Sequence, residues 1–232
     1  MDRNKVKAFW ETRAKLTELP RIESMVNFET DKNRADSRIN AEIACINNHF
    51  PINPNDTIID LGAGNGQWSI RFSSNAKKVI AVEYTYGLIE TAKQIASEQG
   101  VFNIEFIHCA AEMFVPSEPA EAVFVSGLFN YLDDEQYIQL LDNIPDMLTS
   151  DSGHLFLRET VSTLEHDYII DNEYSEALGT NYFSLYRTDR RIVSDIQSRG
   201  MQLIKKGFFF EDGSFLNKWT ETRLMFFLFV KC

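Results

Sequence analysis

Three glycines alternate with other residues in Asp60-Leu61-Gly62-Ala63-Gly64-Asn65-Gly66, directly after the short apolar run Thr57-Ile-Ile-Asp-Leu61. Glycine lets a backbone turn tightly and approach a ligand where a Cβ would collide. Further on, Glu83 closes a second apolar run, Lys78-Val-Ile-Ala-Val-Glu83. A carboxylate in that place has lone pairs for two donors, which suits the two hydroxyls of a ribose. The chemistry implied is the binding of a nucleoside-containing cofactor. Two cofactor classes use such a loop, and spacing separates them. The dinucleotide fingerprint is G-x-G-x-x-G. Here the third glycine comes one residue early, position 67 is Gln, and Asp60 stands two residues before the first glycine. The chain also has no Y-x-x-x-K dyad. A nicotinamide oxidoreductase is therefore disfavoured.

The elements around the loop alternate. Residues 57–61, 78–83, 102–107, 122–126 and 154–161 read as strands, and helices follow near Gly66, across Leu88–Ala96 and after Asp133-Asp134. Strands apolar on both faces, joined through helices, predict an α/β protein with a largely parallel sheet. Residues 1–50 read as helical, with apolar stripes at Val6, Phe9 and Trp10 and at Ile39, Ile43, Ile46 and Phe50, interrupted by Pro20. A polar, aromatic-bearing stretch fills 162–187. A helix between Thr188 and Gly200 and two closing strands, 201–210 and 219–230, complete the chain. In an open sheet of this kind ligands bind beyond the carboxyl ends of the strands, where the strand order reverses. The glycine run and Glu83 both lie at such ends.

With these elements in place, the sequence resembles the class I S-adenosylmethionine-dependent methyltransferases. D-x-G-x-G-x-G after a strand and an acidic end to the next strand carry the likeness. Residues 104–114 (I-E-F-I-H-C-A-A-E-M-F) and 123–132 (V-F-V-S-G-L-F-N-Y-L) extend it. The resemblance implies a Rossmann-like three-layer sandwich with a seven-stranded, mostly parallel sheet, last strand antiparallel, plus N-terminal helices. It implies a methyltransferase domain over 51–232, a helical cap over the site from 1–50, and an acceptor-side insertion at 162–187. Gly62, Ala63 and Gly64 would pass close to the cofactor's methionine and ribose. Asp60 would orient that loop or bond the amino group, Glu83 would hold the ribose hydroxyls, and Tyr84 would lie against the adenine. Ala111 and Glu112 would read the adenine edge; Ser126 and Gly127 would contact the methionine end. Arg13 would reach the cofactor carboxylate if the first helix folds over the site. The family's usual Asp is replaced by Ala110, which leaves Glu112 or a backbone carbonyl as the acceptor for the adenine amine.

The implied activity is methyl transfer from S-adenosylmethionine, leaving S-adenosylhomocysteine, to an O or N nucleophile of a small polar metabolite. The alternatives are a peptide or protein amine acceptor, or a cofactor-binding protein without turnover. Alignment of the two reactants is the main task, and a base is needed only when the acceptor must lose a proton early. His166, Tyr131, Glu159 and Tyr186 are the candidates for that role. No metal is expected, since Asp133-Asp134 reads as a helix cap with no third ligand nearby. The excess of 34 acidic over 23 basic residues, net −11, argues against a protein that lives on nucleic-acid phosphates. The absent Pro-Pro and Pro-Cys pairs disfavour the amino-methylating and cytosine-C5 enzymes of DNA and RNA. No apolar run approaches the ~20 residues of a membrane span. The scattered Cys45, Cys109 and Cys232 suit a reducing cytoplasm. The expected partners are a small-molecule acceptor, with no nucleic acid and no membrane, in a monomer or homodimer.

Overall fold

Strands that are apolar on both faces must be covered on both, and here alternate residues of each strand enter different cores. In the computed structural model, which describes residues 3–14, 31–150, 152–175, 180–217 and 219–232, β1 (Thr57–Leu61) sends Ile59 and Leu61 into one cluster and Ile58 into the other. β4 (Ala122–Ser126) divides in the same way, with Val123 and Val125 against Ala122 and Phe124.

The first cluster is closed by α5 (Asp134–Met147), through Tyr137, Leu140, Leu141, Ile144 and Met147, and by α6 (Asp189–Gln197), through Ile192 and Ile196. The second is closed by α2 (Lys32–His49) and α3 (Gln67–Ser73), through Ile46, Trp68 and Phe72. α1 (Arg3–Ala14) packs on α4 (Tyr86–Glu98). The remaining strands of the main sheet are β2 (Lys78–Glu83), β3 (Ile104–His108), β5 (His154–Ser162), β8 (Met201–Phe208) and β9 (Thr222–Lys231).

The sheet has seven strands in the order β3-β2-β1-β4-β5-β9-β8. Pairs β1–β2, β1–β4, β2–β3 and β4–β5 are parallel, and β9 runs antiparallel to both its neighbours. The order reverses between β1 and β4, so the crevice of an open α/β sheet falls at the ends of those strands.

Helix ends follow the sequence. Asp133 caps α5, accepting from the Gln136 N–H while Gln136 reaches back to the Asp133 N–H. Such a cap is worth about 1 kcal/mol. Asp31 caps α2 and Thr188 caps α6. The expected break at Pro20 lies outside the described residues. The stretch 162–187 differs from expectation in one respect. It carries a two-stranded antiparallel hairpin, β6 (Tyr168–Ser175) and β7 (Thr180–Tyr186), apart from the main sheet.

Candidate active site

The glycine run turns on left-handed backbone: φ is +73° at Gly62, +57° at Gly64 and +78° at Gly66. Crowding adds to this need. A Cβ on Gly66 would stand 3.0 Å from that of Ala92, and one on Gly62 would stand 3.1 Å from Leu128. The Gly62 and Ala63 N–H groups both donate to the Val82 carbonyl, at 2.9 and 3.0 Å, which ties the loop to the neighbouring strand.

Glu83 completes that tie. Its Oε2 accepts from the Gly64 N–H at 2.9 Å and its Oε1 from the Thr85 N–H at 2.6 Å. Glu83 lines the cavity described below. Burial pushes its carboxyl above the ordinary range, and hydrogen bonds from the Thr85, Gly64 and Tyr84 N–H groups and the Thr85 hydroxyl pull the other way. Asp60 has a different place. It lies beneath the loop, 1% exposed, accepts from Ser69 Oγ at 2.5 Å, and is pushed by burial to about 7. The bond to Ser69 ties the end of β1 to α3, the helix that follows the loop, and Asp60 does not line the cavity.

Beyond β3, Ala111 and Glu112 form a short 3-10 turn, both buried. Glu112 Oε1 accepts from Gln136 Nε2 at 2.9 Å, and its carbonyl accepts from Asn143 at 2.8 Å. At the end of β4, Ser126 Oγ lies 3.2 Å from Arg158 Nη1. Arg158 is fixed from far away in sequence: its Nε and Nη2 donate to Glu42 Oε2 at 3.0 and 2.7 Å. Glu42 Oε1 takes Arg38 at 2.9 Å.

The loop after β4 is held from two directions. Glu159 Oε1 accepts from the Leu128 and Phe129 N–H groups at 2.9 and 3.2 Å. Arg187, 1% exposed, donates to the Phe129 and Leu132 carbonyls and to Asp134. That loop presents Tyr131, whose hydroxyl lies 3.3 Å from that of Tyr182, which in turn lies 3.1 Å from that of Tyr186.

These parts share one cavity of about 250 Å³, near the lower end for small-molecule sites. Gly62, Ala63, Gly64, Glu83, Tyr84, Ala111, Glu112, Ser126 and Gly127 line it, as the sequence reading expected, and so do Tyr131 and Tyr186. Four expected residues stand elsewhere. His166 is exposed, and only its backbone carbonyl is engaged, by Ser162 Oγ. Glu159 points to the face of β5 opposite Arg158, where burial raises its carboxyl to about 7. Asp60 lies under the loop, and Arg13 is buried beside Tyr131 rather than in the lining. Among the lining residues not anticipated are Val6, Trp10, Arg38, Gln67 and Tyr182. Tyr182 carried a signal, since residues 182, 184 and 186 share one face of a strand.

The residues present fit a nucleoside-bearing cofactor with an amino-acid tail. A cradle in which a Cβ would be crowded lies beside the buried carboxylate of Glu83. Gln67, 3% exposed, lines the same cavity with neither amide atom hydrogen-bonded among the described residues.

Residues 58–151 match the family model for a methyltransferase domain. A phosphoethanolamine N-methyltransferase of Triticum aestivum is 28% identical over 166 residues, covering 69% of this chain and 31% of the wheat protein. A tRNA 5-carboxymethoxyuridine methyltransferase of Escherichia coli is 39% identical over 56 residues, 24% of this chain and 22% of that one. Among solved structures, a SAM-dependent methyltransferase from Leishmania major aligns with TM-score 0.72 at 19% identity, covering 98% of this chain and 82% of that one. Residues 58–151 thus match a methyltransferase domain, and the fold is the one these S-adenosylmethionine-dependent methyltransferases share. The chain spans less than a third of the wheat relative's length. Among the described residues no helix is long and apolar enough to cross a membrane, and no group of His, Cys, Asp and Glu is placed to hold a metal.

Proposed function

We propose that this protein transfers the methyl group of S-adenosylmethionine to an O or N atom of a small polar molecule. One observation carries the reading. A single cavity joins the glycine loop and Glu83 to Trp10, Tyr131, Tyr182 and Tyr186, so cofactor and acceptor would meet inside it.

Glu83 would accept from the ribose hydroxyls, and Tyr84, Ala111 and Glu112 would bound the adenine. Ser126, Gly127 and Gln67 would meet the amino-acid end. The bound cofactor supplies an already activated methyl group on a sulfonium. The chain's own task is then to align the acceptor, and good alignment is worth about 7–11 kcal/mol of barrier. Glu159 and Arg187 act on that alignment by fixing the loop that carries Tyr131. α1 and the β6–β7 hairpin would cap the acceptor side through Val6, Trp10 and Tyr182. The free thiols of Cys45, Cys109 and Cys232 fit a reducing compartment such as the cytoplasm.

The wheat relative's name supports a small acceptor, and the E. coli relative's name supports an RNA. The net charge of −11 favours the first. The test is incubation of purified protein and methyl-labelled cofactor with the low-mass and RNA fractions of a cell extract. Label should enter the low-mass fraction. Label in RNA alone, or in neither fraction, would overturn the reading.

A further inference from the structure

The acceptor end of the cavity is walled by aromatic rings set nearly at right angles. Trp10 and Tyr131 have ring centroids 5.1 Å apart and planes at 86°; Tyr131 and Tyr182 are 6.3 Å apart at 81°. Phe9 stands behind Tyr182 at 6.3 Å and 62°. Trp10, Tyr131, Tyr182 and Tyr186 all line the same space. Their three phenol oxygens form one chain, with steps of 3.3 and 3.1 Å.

Each phenol has one proton to donate and lone pairs to accept, so a chain of three keeps acceptor capacity for a further donor. Burial pushes all three hydroxyls above their ordinary range, so they stay neutral near neutral pH. Two buried charges of opposite sign, Arg13 and Glu159, act on Tyr131. Glu159 Oε2 has no hydrogen-bond partner among the described residues. Perpendicular π faces with neutral oxygen acceptors attract one kind of group above others: an ammonium carrying methyl groups or N–H bonds.

We infer that this end of the cavity takes an amine as acceptor and holds the methylated ammonium product against Trp10, Tyr131 and Tyr182. The inference rests on the methyltransferase reading and narrows its acceptor from O or N nucleophiles to amines. In the transfer, the lone pair of the neutral amine forms the new N–C bond. The S–C bonding pair stays on sulfur, which becomes a thioether, and the positive charge moves from sulfur to nitrogen, among the rings. A product that still bears an N–H returns that proton to solvent.

The probes are choline and 3,3-dimethylbutan-1-ol, its uncharged carbon analogue of matching shape, each titrated into protein saturated with S-adenosylhomocysteine. Choline should bind at least tenfold more tightly. Tyr182→Leu should erase the preference, whereas Tyr182→Phe, which keeps the ring, should retain it. Equal affinities in the wild type, or no binding of choline, would overturn the inference while S-adenosylhomocysteine binding left the cofactor reading standing. Failure to bind S-adenosylhomocysteine would overturn both.

Discussion

Replacing Glu83 by Ala removes two sets of interactions at once, and the structure separates them. The first set is internal. The Gly64 and Thr85 N–H groups lose their acceptor, at about 1–3 kcal/mol for each buried donor left unpaired. Stability should fall, and the melting temperature with it, by about 2–4 °C for each kcal/mol in a chain of this size. The second set, on the proposed function, is with the ribose of the cofactor. Two hydrogen bonds to a carboxylate are worth about 1.5–3 kcal/mol each, and 1.4 kcal/mol is a factor of ten in affinity. Loss of even one lowers affinity roughly tenfold or more. General damage to the loop would do the same, so the assay compares two ligands. Adenosine and its analogue lacking both ribose hydroxyls are titrated calorimetrically into wild type and variant. Wild type should prefer adenosine by at least tenfold, and Glu83→Ala should bind the two alike. A preference that survives in a folded Glu83→Ala would refute the placement of the ribose at Glu83.

Three further outcomes follow from the same geometry. Glu42→Ala leaves the Arg158 guanidinium, 7% exposed, without its carboxylate, which should cost about 3–5 kcal/mol in urea unfolding. The double variant Glu42→Leu/Arg158→Met should lose less than that single change. Burial holds the Asp60 and Glu159 carboxyls near 7, so the native state binds protons more tightly than the unfolded chain between about pH 4 and 7. Their contribution to stability is therefore present at low pH and lost as pH rises through about 7. Glu159→Gln should show a shallower fall than wild type when unfolding is followed from pH 5 to 7.5; an unchanged slope would contradict the assignment. Gly66→Ala forces a side chain onto left-handed backbone 3.0 Å from Ala92 and should destabilise the protein by about 1–3 kcal/mol. A variant as stable as wild type by thermal melting would show that the loop gives way.

The glycine-loop end of the cavity is legible in the sequence because its signals are local. Three glycines, a preceding Asp and a Glu that ends the next strand lie within a short span, and parallel pairing of β1 with β2 brings them together. The acceptor side depends on contacts that no local pattern records. Arg158 and Glu159 are neighbours on a strand and must face opposite ways, but which faces the cavity is settled by Glu42 on α2, far away in sequence. Glu159 therefore stands outside the cavity lining. His166 falls in an irregular segment where neighbouring residues do not fix side-chain direction. The β6–β7 hairpin was missed because its register shifts between Asp171 and Glu173, which breaks the alternation of apolar and polar residues that marks a strand. Arg13 is buried beside Tyr131, in the loop after β4, a placement that the polarity of α1 does not announce.

The central claim is that the crevice at the ends of β1, β2 and β4 holds S-adenosylmethionine. Calorimetric titration of the folded, ligand-free protein with S-adenosylhomocysteine tests it most directly. One site per chain with micromolar affinity is expected, weakened at least tenfold in Glu83→Ala. No binding by the folded wild-type protein would contradict it.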